Sequence, residues 1–151
     1  MKRNHFLWVF LMLLIVACNK DKFTTEPQVE VKSIQPSTVI NGAILQLLAD
    51  YTDNEGDLDS ALVVYKWYNG NNPSFIDTLI RFPFSRLNLP TNLRKAEMVV
   101  QFEYNTLNQI NMLTLPGVTR DTSATLGLIL IDKTGKRSNY SESNKIRLRK
   151  P

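Results

Sequence analysis

From Val29 to the C-terminus the apolar residues recur at every second position, and this period of two most restricts the folds open to the chain. Leu45, Leu47, Ala49 and Tyr51 alternate with Gln46, Leu48 and Asp50, and Val63, Tyr65 and Trp67 alternate with Leu62, Val64 and Lys66. The longest row is Ala96, Met98, Val100, Phe102 and Tyr104, with Glu97, Val99, Gln101 and Glu103 on the other side. Successive side chains of an extended strand point to opposite faces, so each row marks a strand with one face towards a core. Seven strands are predicted, at 29–34, 43–52, 61–68, 75–82, 96–104, 122–131 and 144–149, separated by turn-forming runs such as Asn69-Gly70-Asn71-Asn72-Pro73. No stretch has a convincing helical period, and residues 107–115, the least regular, have room for one turn of helix. Short strands at regular spacing predict an all-β sandwich rather than a βαβ fold.

The segment ahead of the strands has a different composition. Lys2 and Arg3 precede an unbroken apolar run over residues 6–17, after which Asn19-Lys20-Asp21-Lys22 turns polar. That order is the pattern of a cleavable secretory signal. Its 12 apolar residues fall short of the roughly 20 that a spanning helix needs. Ile15-Val16-Ala17-Cys18 resembles the lipobox of bacterial lipoproteins, in which the signal is cut just before a cysteine that carries the lipid. The resemblance implies residues 1–17 as signal peptide, Cys18 as the acylated residue, and anchoring in a membrane through several acyl chains. Asn19, where an aspartate favours inner-membrane retention, implies delivery to the outer membrane, facing the periplasm or the cell surface. Lys20-Asp21 resembles the short charged signal that takes lipoproteins of Bacteroidetes-type bacteria to the surface. Residues 18–28 read as lipidated cysteine and flexible tether, and 29–151 as one domain.

Loss of the signal leaves 134 of the 151 residues, and removing its two cations takes the formal net charge from +4 to +2. A nearly neutral chain of this size is one domain and does not suggest nucleic acid as a partner. His5, the only histidine, leaves with the signal, and Cys18 is the only cysteine. Imidazole and thiol chemistry, disulfides and the usual zinc sites are therefore not expected, and the chain reads as no enzyme. A glycan hydrolase using Asp57 and Asp59 as paired carboxylates is the remote alternative.

Two motifs carry a family resemblance. The run from Ala49 to Asp59 resembles the acidic turn of small Bacteroidetes-type lipoproteins with immunoglobulin-like domains, and the run from Leu130 to Asn139 resembles the penultimate hairpin of the same proteins and of cadherin-like and fibronectin-like repeats. The resemblance implies an immunoglobulin-like β-sandwich of about seven antiparallel strands, and no particular activity. The turn itself offers Asp53, Glu55, Asp57 and Asp59. Gly56 between Glu55 and Asp57 rules out an EF-hand, which leaves a solvated turn whose aspartates hydrogen-bond their own backbone or, second, a looser calcium clamp. No other cofactor is expected.

In an immunoglobulin-like order the loops at 53–59, 83–95 and 132–138 gather where the chain enters the domain, and those at 69–74 and 105–121 at the far pole. Ile110, Met112 and Leu113 on the longer far loop are either partner contacts or a cap over the sandwich. Trp67 reads first as a core tryptophan and second as a carbohydrate-stacking platform. The basic tail of Lys145, Arg147, Arg149 and Lys150 reads as an edge or surface strand whose cations discourage edge-to-edge pairing, or as a patch for an anionic surface. The expected function is a non-catalytic outer-membrane lipoprotein that binds a protein or glycan, the alternative a structural accessory subunit of an outer-membrane assembly.

Overall fold

A computed structural model of the chain describes residues 25–87, 93–106 and 113–151; Cys18, Ile110 and Met112 lie outside them. The strands are β1 (Gln28–Gln35), β2 (Thr38–Val39), β3 (Ile44–Thr52), β4 (Leu58–Asn69), β5 (Asn72–Pro83), β6 (Lys95–Tyr104), β7 (Leu113–Leu115), β8 (Thr122–Asp132), β9 (Ser141–Glu142) and β10 (Ile146–Leu148). All seven predicted strands form, and three short ones join them. One sheet has the order β1-β3-β6-β7, the other β2-β10-β8-β4-β5, with β9 added beside β8. This is an immunoglobulin-like β-sandwich: its opening strand is split, β1 pairing in the first sheet and β2 in the second.

Two pairings depart from the antiparallel expectation. β2 runs parallel to β10 and β7 parallel to β6. Of the two strand positions expected for the basic tail it takes the surface one and not the edge, because β10 lies between β8 and β2 and exposes Arg147.

The period-two rows become the facing walls of the core. Leu45 pairs with Phe102, Leu47 with Val100 and Ala49 with Met98 across β3 and β6, and all six are essentially inaccessible to solvent. Tyr65, Val63 and Ala61 of β4 and Ala124, Leu126, Leu128 and Leu130 of β8 close the core from the other sheet. Each large side chain removed from water in this way stabilises the fold by about 1.5–3 kcal/mol.

β8 is covered on both faces. On its outer side a Cβ at Gly127 would run into the Tyr140 ring, so glycine lets that ring lie across β8 while β9 pairs beside it. Asn139 accepts the Val29 amide and donates to the Val29 carbonyl, and Ser141 accepts the Val31 amide. These side chains occupy the free edge of β1 and so protect it from pairing with another chain.

Register sets the two poles. Gln28 pairs with Thr52, Thr52 with Lys95 and Leu58 with Asp132, so the start of β1, the 53–57 turn and the 133–137 turn share the N-terminal pole, as predicted. The 69–72 turn, residues 116–121 and the C-terminus share the distal pole. There the fully buried Tyr104 hydroxyl donates to the Arg149 carbonyl (2.9 Å) and accepts the Val118 amide (3.1 Å), tying the 116–121 loop to the end of the chain.

Candidate functional site

At the N-terminal pole the acidic turn is organised by Asp53. Its carboxylate, 1% exposed, accepts the amides of Glu55 (3.3 Å) and Asp57 (2.8 Å), and its own amide donates to the Arg94 carbonyl. This is the self-bonded turn expected of an aspartate in a loop. Asp59 turns away to pair with Arg81 at 3.0 Å.

The four-carboxylate clamp of the sequence reading therefore does not assemble, and Asp57 and Asp59 are engaged on different partners rather than with each other. Instead Asp132, at the end of β8, joins Glu55 and Asp57, with carboxylate oxygens of the three within 4.8 Å of one another. Asp132 is 1% exposed; its Oδ1 accepts the Thr134 hydroxyl (2.8 Å) and the Lys136 amide (2.9 Å). Its Oδ2, and Oδ1 of Asp57, are buried and receive no hydrogen bond from the described residues. Glu55 is exposed and pairs with Lys136 at 3.2 Å.

Burial, then the charges of Asp132, Asp53 and Glu55, push the Asp57 carboxyl above its ordinary value. Burial also pushes Asp132 up, but hydrogen bonds from Thr134 and Lys136 outweigh it and hold that carboxyl below its ordinary value. The hydrogen bond to Glu55 holds the Lys136 ammonium above its own. Asp132 was missed in the sequence because it is distant along the chain; only the strand pairing of Leu58 with Asp132 brings it in.

The distal pole carries a groove. Trp67 is half-buried, edge-on to Tyr65 with ring centroids 5.6 Å apart and stacked on Phe75 at 4.5 Å. With Ser74, Thr119, Arg120 and Thr122 it lines a recess of about 300 Å³. Arg120 and Thr122 also line a second recess of about 410 Å³, with Tyr68, Asn69 and Arg147. Asp121 pins this wall, accepting the Lys150 amide (3.0 Å) and pairing with Arg149 and, at 3.7 Å, Arg147. The Lys150 amide and then Arg149 hold the Asp121 carboxyl below its ordinary value.

Two of the four tail cations thus meet a carboxylate, and Lys145 lies 4.2 Å above the Tyr68 ring. Arg120 is exposed and has no ion pair among the described residues. Leu113, offered by the sequence as a partner contact, is half-buried in β7 and packs against the core.

No protein-family profile matches the chain, and no curated protein matches it in sequence. Among solved structures it is similar to a sporulation control protein of Bacillus subtilis (11% identity, TM-score 0.46), covering 83% of this chain and 50% of that one. It is similar also to a Niemann-Pick type C2 protein of the Japanese carpenter ant (10%, TM-score 0.40, 83% and 94% covered). A third is an alkylpurine DNA glycosylase of Pseudomonas fluorescens bound to abasic-site DNA (12%, TM-score 0.39, 83% and 31% covered). The chain thus spans half or less of two of these proteins.

Proposed function

We propose that the chain is an exported lipoprotein, anchored to the outer membrane through Cys18, whose sandwich is a non-catalytic module that binds a glycan in the distal groove. The observation that carries the reading is the make-up of that groove, lined by Trp67, Ser74, Thr119, Thr122 and an Arg120 that has no ion pair among the described residues. An aromatic face stacks on the apolar face of a sugar ring, while fixed polar groups select its hydroxyls and charges. The leader pattern ending at Cys18 supports export, and the sequence after Cys18 holds neither histidine nor cysteine.

The chain has two tryptophans, Trp8 in the leader and Trp67. In the processed protein, tryptophan fluorescence excited at wavelengths that tyrosine does not absorb therefore reports the groove alone. Titration with a panel of acidic and neutral oligosaccharides should give a saturable change for at least one acidic member, and Arg120→Ala should weaken it about tenfold, the scale of one charge-assisted hydrogen bond. A flat response across the panel, or equal affinity for Arg120→Ala, sinks the proposal.

A protein partner, as for an accessory subunit, has one observation in its favour. Ile76, 59% exposed, stands on the edge strand β5, on the face opposite the Phe75 ring that stacks on Trp67. On that reading Ile76→Lys, rather than Arg120→Ala, would abolish capture of the partner.

A further inference from the structure

We propose that Glu55, Asp57 and Asp132 form a calcium site at the N-terminal pole, opposite the groove. Three carboxylates with no nitrogen or sulfur donor among them suit a hard cation. Calcium binds oxygens at about 2.3–2.6 Å, so two oxygens on opposite sides of one ion lie no more than about 5 Å apart. The three carboxylates here fall within 4.8 Å of one another. Calcium tolerates an irregular set of oxygens, whereas magnesium demands a near-ideal octahedron and gives up its water reluctantly, so calcium is the better match to a partly buried three-carboxylate set.

Acidic clusters are common at protein surfaces, and proximity alone would carry nothing. The second observation is Asp132. It is 1% exposed, its Oδ1 is occupied by Thr134 and Lys136, and its Oδ2 is buried without a donor. Asp57 Oδ1 is left in the same condition. A buried, unpartnered oxygen on a carboxylate that lies beside two others is costly, and a bound cation removes that cost.

Lys136 does not fill this role: its ammonium pairs with Oε2 of Glu55, the exposed member of the set. The frame is also preformed. Asp53 holds the 53–57 turn from within, and the Lys133 amide donates to the Asp57 carbonyl at 3.1 Å, locking that turn to the 133–137 turn. The ligands are therefore held on two loops braced against each other rather than on one loose segment, which lowers the ordering cost of binding. The remaining coordination positions of the ion would be taken by water or carbonyl oxygens, as in extracellular calcium modules.

The test uses the full chain in detergent, stripped with EDTA, and calcium chloride as the probe. Calorimetric titration should give one ion per chain with a dissociation constant on the order of 10⁻⁴–10⁻³ M. Calcium should raise the melting temperature and an equal concentration of magnesium should not. Glu55→Gln, an exposed and structurally mild change, should weaken binding about tenfold. Asp59→Asn should leave it unchanged. Lys136→Ala, which frees Glu55, should tighten it. Absence of heat and of any melting shift up to about 10 mM calcium, well above that range, overturns the proposal. So does wild-type affinity in Glu55→Gln and Asp57→Asn, or a loss in Asp59→Asn as large as in Glu55→Gln.

Discussion

Asp57 is the residue at which local charge and the fold pull against each other. Burial and three neighbouring carboxylates raise its proton affinity, so ionised Asp57 destabilises the folded state at neutral pH. That destabilisation is full above its folded pKa and disappears as the pH falls to the ordinary value of 3.8. Asp132 behaves oppositely: its depressed pKa contributes stability that is present above the ordinary value and lost as the pH falls below it. Asp57→Asn should therefore raise the melting temperature by a few degrees at pH 7 in EDTA, with the gain shrinking towards pH 4. In calcium the sign should reverse, because the variant lacks a ligand that the ion neutralises. Melts at the two pH values, with and without calcium, check this; a variant less stable than wild type in EDTA at pH 7 contradicts the account of Asp57. The quartet Asp53, Glu55, Asp57 and Asp59 stood out in the sequence because an acidic run around a glycine is a local signal. Its division of labour was not legible there. Which carboxylate bonds the backbone, which pairs with Arg81 and which meets Asp132 depends on chain segments that only folding brings near.

At the level of elements, what was readable is what alternation can encode. The seven expected strands and their inner faces follow from period two and turn residues, because strict alternation specifies both a strand and its buried side, whereas the gathering of loops at two poles follows from the immunoglobulin-like strand order. The three short strands were hidden for the same reason: two or three residues such as Thr38–Val39, Leu113–Leu115 and Ser141–Glu142 have no period to read. Their pairings depend on neighbours already in place, and so does the burial of Leu113. The Tyr104 hydroxyl is similar, since the alternation places the ring inside but not the two backbone groups that its hydroxyl joins. Tyr104→Phe keeps the ring and leaves the buried Val118 amide without an acceptor. The cost should be about 1–3 kcal/mol, read as a lower urea midpoint at unchanged slope. The groove wall at 119–122 should loosen with it, so groove ligand affinity should fall together with stability. A stability loss below a few tenths of a kcal/mol would mean that the amide finds water instead, and that Tyr104 does not hold the loop.

At the scale of the whole molecule, the proposed anchor and the proposed groove stand at opposite ends. The domain begins at Gln28, beside the 53–57 and 133–137 turns, and only residues 18–28 separate it from the lipid. Eleven residues reach no further than roughly 40 Å even when fully extended, comparable with the length of the domain's own strands, so the tether keeps the domain within about one domain length of the membrane. On the proposed anchoring the N-terminal pole would face the bilayer and the distal pole would point away from it, leaving the groove open to large glycans and bringing the proposed calcium site close to anionic headgroups. Single reporter cysteines distinguish this arrangement from a free one, because the native Cys18 is the only other cysteine and is blocked by its lipid in the proposed protein. Lys133→Cys lies exposed at the N-terminal pole and Asn71→Cys exposed at the distal turn. With a thiol-coupled fluorophore on each and the protein reconstituted in vesicles carrying headgroup quenchers, the label at position 133 should be strongly quenched and that at 71 weakly. On intact cells an impermeant maleimide should modify position 71 if the protein faces outward, and only after the outer membrane is breached if it faces the periplasm. Equal quenching at the two positions would mean that the tether allows the domain to tumble freely, and stronger quenching at 71 than at 133 would place the groove against the membrane and remove the reason for assigning it a large soluble ligand.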